Sequence, residues 1–213
     1  MSLEAVGSLR EPVRRAVYEY VVASAEPVSR NAVAEAVGIG RTLAAFHLDK
    51  LVDSGLLAAG YAARTGGPGA GRPPKMYRRS PTEHVLALPP RDYRLLAGVL
   101  AGAVEAAGAE PAAYRAARER GAELAGGDVL ARLTELGYEP AEGADGTVRL
   151  RNCPFHAVAQ AYAPVVCGVN LALLEGLVGD AGHAARLDPG GDGCCVALTV
   201  KTKTIDLDGT LPA

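Results

Sequence analysis

The chain has 213 residues, of which 49% are hydrophobic and 22% charged, a globular composition that excludes disordered and collagen-like proteins. No apolar run reaches the ~20 residues needed to cross a bilayer, and the N-terminus lacks a charged-then-apolar signal segment. We therefore expect a soluble, cytoplasmic protein of one or two domains with no membrane partner.

The charge is unevenly distributed, although the formal net charge is only -2. Residues 1–80 carry 11 Lys and Arg against 7 Asp and Glu, a local charge of +4. Residues 81–213 carry 11 against 17, a local charge of -6. This asymmetry indicates a polyanionic partner for the first part of the chain alone.

The first part of the chain shows three successive helical patterns. Ser29 is a suitable N-cap for the second helix, and Gly38 to Gly40 form a tight turn before the third, which Gly55 ends. The predicted helices run from Pro12 to the break at Glu26-Pro27, from Arg30 to Val37 and from about Arg41 to Ser54. Their order is that of a helix-turn-helix, in which the last helix enters the major groove of DNA.

A glycine-rich segment follows the third helix. A strand opens at Leu56-Leu57, residues 65–71 are almost entirely Gly, Pro and Ala, and a second strand-like, cationic segment ends at Arg79. Two strands around such a tip predict a wing that lies along the phosphate backbone. The alternative is a flexible linker, but strand-like residues on both sides favour the wing.

Two segments carry a family resemblance. Residues 38–57, GIGRTLAAFHLDKLVDSGLL, followed by Gly71-Arg-Pro-Pro-Lys-Met-Tyr77, resemble winged-helix bacterial repressors of the ArsR-like superfamily. The resemblance implies a groove-facing third helix and a wing that returns through residues 71–77. On that basis the predicted DNA-binding residues are Arg41, Thr42, Ala45, Phe46, Lys50, Arg64, Arg72, Lys75 and Arg78.

The middle of the chain predicts two helices, from Asp92 to Ala107 and from Ala112 to Leu124. Helices in this position commonly pair two subunits in winged-helix regulators, and a homodimer suits a two-fold related double-stranded DNA operator. The alternative is that both helices pack on their own C-terminal domain. The expected domains are a winged helix-turn-helix over residues 1–82, a helical linker over 83–126 and a sensor domain over 127–213.

The C-terminal part mixes helical and strand patterns, which predicts an α+β fold for this domain and for the whole chain. Turn signals lie at residues 143–146 and 189–193. The predicted elements are a helix over 128–136, strands over 138–141 and 147–152, helices over 154–162 and 165–178, and strands over 186–187 and 195–201.

All four cysteines fall in this C-terminal part. Cys153 is predicted at a strand-to-helix corner, Cys167 early in a helix, and Cys194 just after a loop, so their side chains can converge at one rim. Adjacent strand residues point to opposite faces. Unless the loop extends through both residues, we therefore expect one of Cys194 and Cys195 to be a metal ligand and the other to pack in the core.

A second resemblance involves these cysteines. Leu150-Arg-Asn-Cys-Pro-Phe155, followed by Cys167, a Leu-rich helix and a late Gly-x-Cys, resembles the sensor domain of SufR-type regulators. Those are winged-helix repressors that bind an iron–sulfur cluster and control cluster-assembly genes. The family pattern has one more cysteine between Cys167 and Cys194, and here His183 or His156 is the candidate in its place.

The expected function is a DNA-binding transcription repressor, controlled by an iron–sulfur cluster or a zinc ion. The candidate ligands are Cys153, Cys167, Cys194, Cys195 and His183. The alternatives are a regulator that senses thiol redox state or a small molecule without metal, and cysteines that act as small buried hydrophobes. No phosphate-binding loop, nucleophile elbow or His-x-x-x-His pattern is present, so we do not expect an enzyme.

Overall fold

The computed structural model describes residues 2–62, 73–179, 181–189 and 193–201. The chain mixes helices and strands and divides into two compact units, residues 1–91 and 92–213. None of the helices in the described ranges is long and apolar enough to cross a membrane.

The first unit contains the three predicted helices and a three-stranded sheet. Its elements are α1 (Ser2–Ser8), α2 (Pro12–Ala23), β1 (Val28–Ser29), α3 (Arg30–Val37), α4 (Arg41–Asp53), β2 (Leu57–Tyr61) and β3 (Lys75–Arg79). The helices confirm the prediction to within a few residues. The sequence patterns missed α1 and β1, because neither is long enough to show a period.

Local signals in the sequence set the helix boundaries. The Glu11 carboxylate caps α2 by accepting hydrogen bonds from the amides of Val13 (3.1 Å) and Arg14 (2.6 Å). The Ser29 hydroxyl caps α3 by accepting from the Ala32 amide at 3.2 Å. Gly38 ends α3 in the left-handed conformation, with φ of 71°, where a side chain would be strained.

The apolar stripes of the helices pack on the sheet to form the core of this unit. The inward stripe of α4 consists of Ala44, His47, Leu48 and Leu51, which are all buried. The other large buried side chains are Val17, Val21, Val33, Leu56, Leu57 and Tyr77. The strands are antiparallel in the order β1-β3-β2, so β3 is the central strand.

The second unit is an α+β arrangement with a four-stranded antiparallel sheet in the order β4-β5-β7-β6. Its elements are α5 (Tyr93–Ala107), α6 (Glu110–Leu124), α7 (Val129–Glu135), β4 (Pro140–Glu142), β5 (Val148–Leu150), α8 (His156–Ala159), α9 (Ala163–Val178), β6 (His183–Leu187) and β7 (Val196–Val200). Both helices of the middle region, α5 and α6, lie within it.

One predicted helix of this unit is wrong in length. The pattern indicated a helix from Pro154 to Tyr162, whereas α8 has four residues. The Cys153 carbonyl accepts from the His156 amide at 3.1 Å, which places Pro154 in a turn before the helix. Pro164 lies in the first turn of α9, a position that favours the start of a new helix.

Helices α6 and α9 pack backbone against backbone at glycines. A Cβ at Gly121 would overlap the carbonyl oxygen of Leu173, and one at Gly176 would overlap the carbonyl oxygen of Arg118. The Arg118 guanidinium also donates to the Glu175 carboxylate across this contact. This approach requires glycine at both positions, because any side chain would force the helices apart.

Helix α5 exposes an apolar face. Its predicted helix is confirmed, and Asp92 caps it by accepting from the Leu95 amide at 2.8 Å. Its apolar side chains are largely exposed, including Leu95 at 66% and Val99 at 62%. The exposed apolar residues of this helix are Tyr93, Leu95, Leu96, Val99 and Leu100.

Candidate nucleic-acid interface and cysteine cluster

Helix α4 presents its polar side away from the core. Arg41, Thr42, Phe46 and Lys50 are exposed, and Ala45 is half-buried. The buried stripe occupies the other side of the helix, so these five side chains are free to contact a ligand in a groove. Arg41 lies in the first turn, the part of a groove-facing helix that reaches base edges.

Strands β2 and β3 form an antiparallel pair, with Leu57 opposite Arg79 and Tyr61 opposite Lys75. They are the two strands of the predicted wing. Arg78 is exposed on β3. Two other predicted phosphate contacts, Arg64 and Arg72, and the glycine-rich tip between them lie outside the described residues.

Lys75 is paired with Asp49 of α4, a contact that sequence patterns did not predict. The Lys75 ammonium donates to the Asp49 carboxylate at 2.7 Å and lies 5.2 Å from the centre of the Tyr77 ring. The hydrogen bond to Asp49 raises the pKa of Lys75. Asp49 lies one turn after Ala45 and Phe46, on the outward face of α4.

A shallow cleft of about 230 Å³ lies beside this ion pair. Its walls are the start of α3, the outward face of α4 and the beginning of β3. The lining residues are Ser29, Arg30, Asn31, Ala45, Asp49, Pro74, Lys75 and Tyr77. The cleft is therefore part of the same polar surface as the predicted DNA-binding residues.

In the second unit the structure brings the four cysteines into one cluster. The thiols of Cys153 and Cys194, of Cys194 and Cys195, and of Cys195 and Cys167 lie close enough to shift each other's pKa. Cys194 is buried, and the other three are half-buried. The sequence predicted that the cysteine side chains converge, and in the structure they lie in pairwise contact.

The backbone explains how Cys194 and Cys195 can both join the cluster. The predicted strand from Cys195 is too long, since β7 begins at Val196 and both cysteines precede it. The loop therefore extends through both cysteines, which is the case in which the alternation of strand side chains does not separate them. The Cys194 amide donates to the Leu150 carbonyl at 2.8 Å, and a side chain at Gly193 would overlap that carbonyl.

The environment of Cys194 favours its thiolate. A hydrogen bond from the Cys153 thiol holds the pKa of Cys194 below its ordinary value, with further donation from the Val196 amide and from Asn170, although burial acts in the opposite direction. The same hydrogen bond, together with burial, raises the pKa of Cys153. Burial and the contact with Cys167 raise the pKa of Cys195.

Two buried polar side chains support the cluster from behind, and sequence patterns did not predict either. The Tyr138 hydroxyl donates to Asn170 Oδ1 at 2.5 Å, and Asn170 Nδ2 donates to the Cys194 sulfur at 3.0 Å. Tyr138 and Asn170 are each only 1% exposed. The one available signal was an Asn in the middle of an otherwise apolar helix, one turn after Cys167.

The ring nitrogens of the two histidine candidates contact groups other than these thiols. His183 pairs with Val200 at one end of the β6–β7 ladder, about 13 Å along the strand from Val196. Its Nδ1 is 3.2 Å from the Ala181 carbonyl oxygen. His156 Nε2 is 3.1 Å from Gln160 Nε2 on the exposed side of α8.

The sulfur atoms form a chain of pairwise contacts. Within the described residues, no three His, Cys, Asp or Glu side chains are already arranged around a common centre that could hold a metal ion. The donor set itself, four thiols in one cluster, matches what zinc and iron–sulfur clusters take from proteins.

Comparison with known protein families matches residues 9–58 to a helix-turn-helix domain family. The match covers α2, α3 and α4 and extends to the start of β2, so the prediction of an N-terminal helix-turn-helix domain is confirmed. Neither the curated proteins nor the solved structures contain a significant match to this chain.

Proposed function

We propose that the chain is a transcription repressor that binds a double-stranded DNA operator through α4 and the wing, and that its C-terminal cysteines control this binding. The observation that carries the proposal is the exposed polar face of α4 within a helix-turn-helix domain. The resemblance of the cysteine segment to SufR-type regulators supports the sensory part. The function proposed is binding rather than catalysis.

The DNA-binding surface combines two kinds of contact. Arg41 is suited to bidentate contact with a guanine, a contact worth ~1–3 kcal/mol of discrimination between bases. Arg78 on β3 and the predicted wing residues Arg64 and Arg72 are suited to phosphate contacts, which give affinity without sequence choice. The local charge of +4 in residues 1–80 agrees with a polyanionic partner.

The test is selection of binding sites from a random double-stranded DNA pool by the purified full chain, followed by titrations at several salt concentrations. We expect one enriched sequence whose affinity falls steeply with salt. Arg41→Ala should weaken binding to that sequence about 5- to 150-fold, the range of one base contact. Arg120→Ala, which removes an exposed cation from α6, is the matched control. A flat salt response contradicts the proposal.

For the sensory part, the four cysteines would hold an iron–sulfur cluster, with a zinc ion as the alternative. When bound, a cluster supplies a redox- and oxygen-sensitive group. The chain contributes sulfur ligands from three segments: a turn after β5, helix α9 and the turn before β7. The state of this cluster would shift the population between DNA-competent and DNA-incompetent states.

The sensory part is tested on protein purified without oxygen, by its visible spectrum and by its iron, sulfide and zinc content. Brown protein with similar amounts of iron and sulfide supports the cluster. Colourless protein that contains zinc indicates that the same cysteines bind zinc instead of a cluster. Colourless, metal-free protein that binds DNA contradicts both and favours a thiol or small-molecule signal.

We also propose that the repressor is a homodimer paired through α5. The exposed apolar residues of this helix recur at spacings of three and four residues, from Leu95 and Leu96 to Val99 and Leu100. Such a stripe on an otherwise folded unit is typical of an interface between subunits. A two-fold interface buries the same patch on both copies, which suits a helix that pairs with itself.

A further inference from the structure

Behind the Cys194 sulfur, two buried polar side chains form successive hydrogen bonds that end on that sulfur. Tyr138, on the segment before β4, and Asn170, on α9, are 32 residues apart and meet at 2.5 Å. Asn170 then contacts Cys194, another 24 residues along the chain, at 3.0 Å. Both polar side chains are almost completely buried, so every donor and acceptor needs a partner inside the protein.

The orientation of the Asn170 amide follows from counting donors. A phenol hydroxyl has one hydrogen to donate, and Asn170 Oδ1 is the acceptor within reach. With Oδ1 occupied in this way, the amide NH2 group faces the Cys194 sulfur. The reversed amide would leave the buried Tyr138 hydrogen without this acceptor, at a cost typical of an unsatisfied buried donor.

The Cys194 sulfur is surrounded by other donors as well. The thiols of Cys153 and Cys195 and the backbone amide of Val196 also contribute hydrogen bonds to it. Among these contacts, the one from Asn170 Nδ2 at 3.0 Å fixes a buried side-chain donor against the Cys194 sulfur. The Cys195 sulfur has a backbone hydrogen bond and contacts the Cys167 and Cys194 thiols, but among the hydrogen bonds of the described residues no side-chain amide donates to it.

We propose that Asn170, oriented by Tyr138, is a positioning residue that holds the Cys194 sulfur ready for ligation, so that Cys194 rather than Cys195 is the stronger ligand of the cysteine cluster. The inference rests on the proposed function, because it assumes that the cluster takes up a metal or an iron–sulfur group. Hydrogen bonds to ligand sulfurs are a general means of tuning such sites.

The experiment uses Co²⁺ as the probe, added to the reduced, metal-free full chain without oxygen. Thiolate ligands give Co²⁺ a sulfur-to-metal charge-transfer band in the near ultraviolet, so the titration reports both affinity and the number of thiolates. Wild-type protein should show this band. Its absence would overturn the metal-sensing part of the proposed function and the assignment of Cys194 together, whereas the DNA-binding part would stand.

If wild-type protein gives the band, the variants test the roles of Asn170 and Cys194 separately from the proposed function. Asn170→Leu should weaken Co²⁺ binding about 10- to 100-fold, the usual effect of losing a group that supports a ligand. The band should also move to lower energy, because the Cys194 thiolate no longer accepts the stabilising hydrogen bond from Asn170. Cys194→Ser should lose more band intensity and affinity than Cys195→Ser.

Folding is checked by circular dichroism and thermal unfolding of each variant. Should Asn170→Leu fail to fold, Tyr138→Phe decides, since it keeps the ring and removes the hydroxyl that orients the amide. We expect the same direction with a smaller loss of affinity. Thr134→Val, which deletes a hydrogen bond to the Leu130 carbonyl on exposed α7, is the control.

Two results overturn the inference while leaving the proposed function in place. In the first, the Asn170 or Tyr138 variants bind Co²⁺ with wild-type affinity and band energy. In the second, Cys195→Ser loses as much intensity and affinity as Cys194→Ser.

Discussion

The two units of this chain arrange polar and apolar groups in opposite ways. The first unit has a mainly apolar core, in which His47 is a buried polar side chain, and carries its charged candidates, such as Arg41 and Arg78, on the outside. The second unit buries Tyr138, Asn170 and Cys194 and exposes the apolar face of α5. An exposed side chain can be replaced with little effect on the free energy of unfolding, whereas replacing a buried polar side chain changes both the site and the stability of the fold.

The comparison predicts that the largest effects on stability lie in the second unit, at the glycine contact between α6 and α9. Gly121→Ala places a methyl group on the Leu173 carbonyl and should cost about 3 kcal/mol or more, the upper end for overpacking. Thermal and urea unfolding measure it. The control is Gly98→Ala on α5, where a Cβ would make ordinary contact with the Tyr162 ring at 3.8 Å. Equal stability of both variants would contradict the packing described.

The exposed apolar face of α5 gives the next largest expected effect. Leu96→Glu should weaken self-association at least about 10-fold, because a leucine buried in an interface contributes ~1.5–3 kcal/mol. Sedimentation equilibrium over a range of concentrations is the measurement. Leu187→Glu, at an exposed position on β6, should leave association unchanged. A wild-type chain that stays monomeric at high concentration would contradict the proposed homodimer.

In the first unit, a surface change should alter DNA binding and leave the fold intact. Asp49→Asn removes a negative charge from the outward face of α4 and releases Lys75 for a phosphate. We expect tighter binding to the selected DNA and a salt slope steeper by about 0.9, the value for one added phosphate contact. Stability should change by less than about 1 kcal/mol, as for other exposed ion pairs. Weaker, less selective binding would instead indicate that Asp49 itself contacts a base.

The smallest expected effect is a pH dependence at the start of α2. Hydrogen bonds from the backbone, above all from the Arg14 amide, lower the pKa of Glu11 below its ordinary value of 4.5. The carboxylate therefore contributes stability above pH 4.5, and the contribution is lost as pH falls through the lower pKa of the folded state. The difference in unfolding free energy between wild type and Glu11→Gln should therefore shrink as the pH falls from 4.5 through the pKa of the folded state. Glu19→Gln is the control for loss of charge on the same helix.

The contrast between the units also explains what the sequence predicted well. The helices of the first unit begin and end at local signals, namely the Glu11-Pro12 start, the Ser29 cap and Gly38. The outward residues of α4 follow from the period of its apolar stripe. Both kinds of information lie within a few residues of the feature they predict.

The unpredicted features depend on contacts between distant residues. The pairs Lys75–Asp49, Tyr138–Asn170 and Asn170–Cys194 are separated by 26, 32 and 24 residues. No local period carries such pairings. The strand predicted from Cys195 begins one residue later, at Val196, because the Cys194 amide donates to Leu150, a residue far away in the sequence.

The central position of β3 has a mechanical consequence for the first unit. On one side β3 pairs with β2, and on the other Met76 pairs with Ser29, the residue whose hydroxyl caps α3. The strand that returns from the wing is thus tied to the first turn of the helix-turn-helix. The start of α3 and the strand β3 are therefore held in a fixed position relative to each other.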